Sequence, residues 1–172
     1  MNVDEFKRRF MPLHPKLYRI AVVLTGSSVD AEDILQEMYA RLWVRRSEWD
    51  VVENTEAFCV TMLKNRCLDY LRTTNGIRMN VSLEGLEHTE NPLSDSQEHA
   101  DELQLVRELV ERLPDNQRRV LKLHSMGECS TEEIESITGY SRTNIRQLLS
   151  RARRTIREQY QNIQRHGQQR RG

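Results

Sequence analysis

The chain has 172 residues and a formal net charge of zero, from 26 basic and 26 acidic side chains. That length fits one domain or two small ones, and no apolar run approaches the ~20 residues that a membrane-spanning helix needs. Cys59, Cys67 and Cys129 form no CxxC pair and leave one odd thiol, and the N-terminus has no signal-peptide pattern. These features predict a cytoplasmic protein.

The balanced charge hides a strong asymmetry along the chain. Residues 1–74 carry eleven basic and eleven acidic side chains, whereas residues 75–100 carry one basic and five acidic. Residues 101–140 carry five basic and nine acidic, and residues 141–172 carry nine arginines and a single acidic residue. An acidic middle followed by a basic end predicts separate partners for separate parts of the chain.

Helical periodicity predicts four helices in the N-terminal part. Pro12 and Pro15 are expected to end the first helix, and Gly26 the second. The predicted ranges are 3–10, 16–25, about 30–46, and 56–72.

The third predicted helix has an apolar face and an opposite face with Asp33, Gln36 and Glu37. Acidic residues in a first turn stabilise a helix by interacting with its dipole. This effect explains the presence of Asp33 better than that of Gln36 and Glu37. In the fourth helix, Cys59 and Cys67 fall on the apolar face, which predicts buried hydrophobes rather than reactive thiols. The polar row on the other side of that helix is equally compatible with solvated surface; it comprises Thr61, Asn65, Asp69 and Arg72.

Residues 73–100 are rich in turn formers and acids and show no sustained period, which predicts a flexible acidic linker. A segment of that length without structure is unusual inside one domain, so it indicates a domain boundary. Amphipathic helices are expected over residues 101–113 and 115–125, separated by Pro114. His124 lies close to Cys129 in sequence, but no metal-ligand spacing is present, so His124 is interpreted as the end of a helix.

The stretch from Cys129 to Tyr160 predicts a helix-turn-helix. Ser130 and Glu133 have the spacing of a capping box, Gly139 ends the first helix, and Ser141 caps the second. The second helix has one buried stripe at helical spacing, made by Ile145, Leu148, Leu149, Ala152 and Ile156. Its outer face mixes arginine with Thr, Gln and Ser, which hydrogen-bond base edges. DNA binding is therefore favoured over an αα-hairpin with a solvated basic face.

Four stretches in this order resemble the extracytoplasmic-function group of bacterial RNA polymerase sigma factors. They are LYRIAVVLTGSSVDAEDILQEMYARLW, AFCVTMLKNRCLDYLR, LVERLPDNQRRVLKLHSMGECSTEEI and TNIRQLLSRARRTIREQY, which together cover most of residues 16–160. The resemblance implies an all-α protein of two small helical domains joined by a flexible linker, with the helix-turn-helix in the second. The expected boundaries are 1–73, linker 74–100, 101–164, and a basic tail 165–172.

The resemblance implies a role for each part. DAEDILQE corresponds to the family's contact with the clamp of the largest polymerase subunit, with Asp33, Gln36 and Glu37 facing it. The helix around Asn65 corresponds to the reader of the promoter −10 element, which traps a flipped base. Its matched positions are Asn65, Arg66, Asp69 and Arg72, with the loop of Trp49 and Asp50 helping to form the base pocket. The acidic linker is expected to lie in a basic cleft of the polymerase.

The last helix corresponds to the reader of the −35 element. The positions matched to bases are Arg146, Gln147, Ser150 and Arg151, with Arg142, Thr143, Arg153 and Arg154 for phosphates and Asn144 in the same DNA-binding face. Two positions depart from the family pattern: Leu148 stands where a basic residue is common, which predicts one missing phosphate contact, and Ser150 is small. The −35 sequence therefore does not follow from the residues.

The resemblance implies a monomer that binds core RNA polymerase and promoter DNA and is held by an anti-sigma factor, often a membrane protein. The chain has no nucleophile–base pair, metal cluster or Gly-rich phosphate loop, so we expect no enzyme activity, cofactor or small-molecule ligand. A stand-alone helix-turn-helix repressor or activator is the alternative, and it predicts a dimerisation element, because such proteins read two half-sites. A ligand-binding regulator is a further alternative. It would need a cluster of buried polar side chains, whereas the inward positions are almost all apolar.

Overall fold

A computed structural model describes residues 1–78 and 97–169, with the backbone alone at Asp50 and at residues 75–78, 97–99 and 168–169. The described residues form eight α-helices and two short 3-10 turns, Met11–Leu13 and Trp49–Val51. The helices are α1 Val3–Phe10, α2 His14–Thr25, α3 Ser28–Val44, α4 Thr55–Arg78, α5 Gln97–Glu111, α6 Asp115–Ser125, α7 Thr131–Thr138 and α8 Arg142–Gln169. None of the helices in these ranges is long and apolar enough to cross a membrane.

Side-chain caps account for most of the helix starts. Asn2 and Glu5 form a capping box at α1, and the Ser27 hydroxyl accepts the Asp30 amide at the start of α3. The sequence predicts that Pro15 lies between the first two helices, but it occupies the first turn of α2. The chain tolerates proline there because the N–H groups of a first turn have no partner within the helix. Gly26, with φ of 71°, ends α2 as the sequence predicts.

Besides α2, which begins two residues early, three helices are longer than the sequence indicates. α4 continues past Arg72 to Arg78, α5 begins before Asp101, and α8 continues past Tyr160 to Gln169. Once a helix is nucleated, each further residue adds one hydrogen bond, so turn-forming residues near an end do not by themselves stop it. Parts of the predicted linker and basic tail are therefore helical, and residues 79–96 and 170–172 of those segments lie outside the described residues.

The apolar faces of the helices meet in one continuous core that runs through both predicted domains. α2 packs on α3 and α4, and α8 packs on α5, α6 and α7. The core includes the inward positions that the sequence indicates in α3, namely Ala31, Ile34, Leu35, Met38 and Leu42.

The two predicted domains are in direct contact, since α2 packs against α6 and α4 packs against α7. Gly127, just after α6, permits the close approach: a Cβ there would lie 2.7 Å from the Leu123 carbonyl oxygen and 3.3 Å from Ile20 Cγ1. Arg151 and Arg154 nevertheless stay exposed. The helices that carry the candidate functional residues thus share one body while their polar faces remain at its surface.

Candidate nucleic-acid and protein interfaces

The helix-turn-helix is built by the capping residues that the sequence identifies. The Ser130 hydroxyl accepts the Glu133 amide at 3.2 Å, and the Glu133 carboxylate accepts the Ser130 amide at 2.8 Å. Gly139, with φ of 76°, ends α7, and the Ser141 hydroxyl accepts the Asn144 amide at 3.2 Å at the start of α8. Two capped helices joined by a left-handed glycine fix the angle at which α8 is presented.

The predicted orientation of α8 is confirmed. Of the predicted stripe, Ile145, Leu148, Leu149 and Ala152 are buried and Ile156 is partly buried. Leu148, which stands where the resemblance leads us to expect a basic residue, is only 3% exposed and lies in the core. All nine predicted −35 residues are exposed: Arg142, Thr143, Asn144, Arg146, Gln147, Ser150, Arg151, Arg153 and Arg154.

Arg142 differs from the other arginines of this face because two glutamates of α7 hold it. Its Nε lies 3.0 Å from Glu135 Oε2, and its Nη1 lies 3.2 Å from Glu132 Oε1. The Glu132 carboxyl accepts a hydrogen bond from the Glu132 backbone amide, which lowers the pKa of that carboxyl, and the charge of Arg142 lowers it further. Within the described residues, by contrast, no ion pair is formed by Arg146, Arg151, Arg153 or Arg154. These four guanidiniums are available to an anionic partner.

The residues predicted to read the −10 element mostly line one groove between α3 and α4, with a volume of about 630 Å³. Trp49, Asn65, Arg66 and Asp69 all contribute to it, whereas Arg72 lies beyond its end and pairs with Asp69 at 3.6 Å. The side chain of Asp50 is outside the described residues. We call this the α3–α4 groove; it is lined by Glu37, Ala40, Arg41, Val44, Arg45, Trp49, Met62, Asn65, Arg66 and Asp69.

Trp49 is held firmly at the edge of the α3–α4 groove. Its indole Nε1 donates to the Leu42 carbonyl at 3.0 Å. Its ring packs on Phe58 with centroids 4.9 Å apart, and the Arg45 guanidinium lies 5.3 Å from its centroid. A fixed aromatic ring beside a groove with amide and guanidinium donors can stack on a base while the polar groups bind its edge and phosphates.

The sequence analysis missed Arg41 and Arg45, which line the same groove from α3. Both follow Glu37 at intervals of four residues, and residues four apart lie on one helical face. That spacing is a signal that could have found them. Because the prediction assigned α3 to a protein contact alone, the basic half of its polar stripe was overlooked.

The three residues predicted to contact the polymerase clamp, Asp33, Gln36 and Glu37, are all exposed on α3. Asp33 borders a shallow pocket between α2 and α3 that His14 and Tyr18 also line. Glu37 instead faces the α3–α4 groove, where its carboxylate pairs with arginines. The structure therefore divides this set between two surfaces, although all three residues lie within two turns of one helix.

The cysteines are buried, as the sequence predicts for Cys59 and Cys67. Burial raises the pKa of each of the three thiols to about 12, so they are protonated at neutral pH and pack as small hydrophobes. In the part of the chain that the structure describes, no group of His, Cys, Asp and Glu could hold a metal ion.

Comparison with known families gives two matches. Residues 10–76 match the family model described as sigma-70 region 2, and residues 103–156 match the one described as sigma-70, region 4. The first match contains α2, α3 and most of α4, and therefore the α3–α4 groove. The second contains the helix-turn-helix, including the nine exposed residues of α8.

Individual relatives agree with these matches. The chain is 31% identical over 171 residues to the ECF RNA polymerase sigma factor SigJ of Mycobacterium tuberculosis, covering 92% of this chain and 51% of SigJ. It is 24% identical over 161 residues to SigM of Bacillus subtilis, covering 93% of this chain and 96% of SigM. The chain thus spans about half the length of one relative and nearly all of the other.

The fold is also similar to that of a solved structure. The sigma factor RpoE of Bartonella quintana, crystallised with the anti-sigma factor NepR, superposes with a TM-score of 0.67 at 23% identity, covering 91% of this chain and 96% of that one. This agreement extends across both helical regions and supports the all-α architecture.

Proposed function

The chain belongs to the extracytoplasmic-function group of the sigma-70 family, and on that premise we propose that it binds core RNA polymerase and directs initiation at promoters with particular −10 and −35 elements. The observation that carries the proposal is the pairing of two separate polar surfaces on one body. One is the groove in region 2, and the other is the exposed, arginine-rich face of α8 in region 4.

The outer face of α8 is the proposed −35 reader. In a helix-turn-helix the second helix enters the major groove, and side chains near its start reach base edges. Arg146, Gln147, Ser150 and Arg151 lie on that exposed face, and the exposed Arg153 and Arg154 are the proposed phosphate contacts. Arg142 is proposed to contact a phosphate in place of Glu132 and Glu135, because DNA must displace these two carboxylates before the guanidinium is free.

The α3–α4 groove is the proposed −10 reader. Trp49 and Asn65 both line the groove, which suits capture of one unstacked base by an aromatic ring and an amide. Capture of a flipped base costs a few kcal/mol of unstacking. The groove therefore acts after duplex binding, when a single strand is forming.

The exposed acidic and amide groups of Asp33, Gln36 and Glu37 are the proposed contact with the polymerase clamp. The matched structure of RpoE contains an anti-sigma factor, which supports the proposal that this chain is also held by an anti-sigma factor, of a kind that is often membrane-bound. Because a protein that binds core RNA polymerase must be in the same compartment as the polymerase, we propose that the chain is cytoplasmic.

Run-off transcription with core RNA polymerase and a genomic fragment library tests the proposal. We expect discrete transcripts that depend on the added protein and that share two upstream elements. A stand-alone repressor or activator would bind DNA but would neither co-purify with core polymerase nor produce these transcripts.

A further inference from the structure

One carboxylate oxygen serves two arginines at the edge of the α3–α4 groove. Oε1 of Glu37 lies 2.6 Å from Arg41 Nη2 and 3.3 Å from Arg66 Nη1. Arg41 is on the same helix as Glu37, whereas Arg66 is on α4, 29 residues later. Glu37 therefore joins the two walls of the groove through a shared counter-ion.

Glu37 lies at a charge boundary on α3. Asp33, Glu37, Arg41 and Arg45 follow one another at intervals of four residues, so they form a single stripe along the helix. The acidic half of the stripe continues the proposed clamp contact, and the basic half lines the groove. Glu37 is the one residue of the stripe that belongs to both surfaces.

In this conformation the arginines that line the groove are already paired with carboxylates. Arg41 and Arg66 are paired with Glu37, and Arg45 Nε lies 3.0 Å from Glu48 Oε1. All three guanidiniums of the groove thus have carboxylate partners. A single strand of DNA needs unpaired cations along its phosphates, and it must compete with Glu37 for two of them.

We propose that Glu37 couples polymerase binding to strand capture. When a cationic group of the polymerase binds the Glu37 carboxylate, Arg41 and Arg66 lose their shared partner and become available to the phosphates of the strand in the groove. This rests on the proposed function, and it adds Arg41 to the residues that hold the strand. Because coupling is reciprocal, a bound strand that takes Arg41 and Arg66 also frees Glu37 for the polymerase.

The test measures binding of a fluorescent, mixed-sequence 12-nucleotide single strand to the full chain by anisotropy, without polymerase and at fixed salt. Glu37→Gln removes the charge and retains the shape. Since exposed ion pairs contribute little individually, we expect about two- to five-fold tighter binding by this variant. Asp4→Asn, an equal charge change on α1, should leave the affinity within error of the unmodified chain.

Two further measurements separate the coupling from a general charge effect. Adding Arg41→Gln and Arg66→Gln to Glu37→Gln should abolish the gain, and the gain should also vanish in holoenzyme, where polymerase already holds Glu37. An equal gain in Asp4→Asn, no gain in Glu37→Gln, or a gain that persists in holoenzyme overturns the proposal. Failure of run-off transcription by the unmodified chain would instead reject the sigma function, independently of these affinities.

Discussion

The ammonium group of Lys16 lies 2.9 Å from Oε1 of Glu133, joining α2 to the capping residue of α7. The same nitrogen lies 2.6 Å from Glu56 Oε1. Burial by itself would lower the pKa of Lys16, but hydrogen bonds and charge from Glu56 and Glu133 outweigh it and raise the pKa. Lys16 is thus charged at neutral pH and holds regions 2 and 4 together.

Two other polar contacts reinforce this junction. Arg19 Nη2 lies 2.9 Å from Glu128 Oε2, and Lys64 Nζ donates to the Ser136 carbonyl at 2.7 Å. The Ser136 carbonyl belongs to the last turn of α7, where a positive charge is favourable to the helix dipole. A residue of α4 therefore stabilises the first helix of the helix-turn-helix.

Reversing the charge of Lys16 should loosen this junction. In Lys16→Glu, three carboxylates would share one partly buried site, so we expect a loss of about 1–3 kcal/mol in unfolding free energy, between the values for exposed and buried pairs. Urea denaturation measures the loss, and small-angle scattering should show a larger radius of gyration. Lys122→Glu is the control, since its partner Glu111 lies in the same region. A compact Lys16→Glu protein of unchanged stability would contradict this role.

Shortening an arginine of the proposed −35 reader should weaken discrimination. Arg146→Ala or Arg151→Ala should each cost about 1–3 kcal/mol of preference for the correct duplex if that side chain contacts a base. Competition binding between promoter and mutated duplex measures this preference, and footprinting shows the position. Arg165→Ala, on the same helix but outside the predicted set, should lower the affinity for all duplexes slightly and equally. An unchanged upstream footprint removes the tested residue from base reading.

Charge reversal on α3 tests the clamp contact. Asp33→Lys changes a residue outside the α3–α4 groove, so it leaves the Glu37 ion pairs in place and reports on polymerase binding alone. We expect weaker association with core polymerase in a pull-down, an unchanged helical circular dichroism spectrum, and reduced transcription. Asp4→Lys on α1 is the matched control. Full transcription by Asp33→Lys would reject the assignment of this surface.

Asn65 should matter more for strand separation than for initial binding. Asn65→Ala removes an amide that is expected to bind the captured base, while the contacts of α8 with duplex DNA remain. Permanganate reactivity of melted thymines should fall, whereas the affinity of holoenzyme for closed promoter DNA should change little. Thr61→Ala, one turn earlier on α4, should retain both properties. Equal losses in closed and open complexes would place Asn65 outside base capture.

The thiols should be inert in the folded protein. Because burial raises the pKa of Cys59, Cys67 and Cys129 to about 12, almost no thiolate is present at pH 8 and access is blocked. Ellman's reagent should react with none of them at pH 8 in buffer and with all three in denaturant. Rapid reaction of one thiol in native buffer would show that its part of the core opens.

Local sequence patterns determine where several helices begin and end and which of their faces are buried. The capping pair Ser130 and Glu133, the stop at Gly139 and the buried stripe of α8 follow from residues three or four apart, and hydrogen bonding and helical periodicity act over that distance. The same periodicity predicts that Asp33 and Asn65 face outward, so the chemistry of the exposed faces follows from the sequence.

Tertiary structure alone decided which of those faces meet. Neither the contact of Glu37 with Arg66 nor the bridge from Lys16 to Glu133 follows from a local period, because the partners are 29 and 117 residues apart. The fit of Ile20 against Gly127 likewise depends on how two separately predicted helices pack. Such contacts arise only when apolar faces from distant segments close into one core, since that packing fixes which charged groups come within a few ångströms of each other.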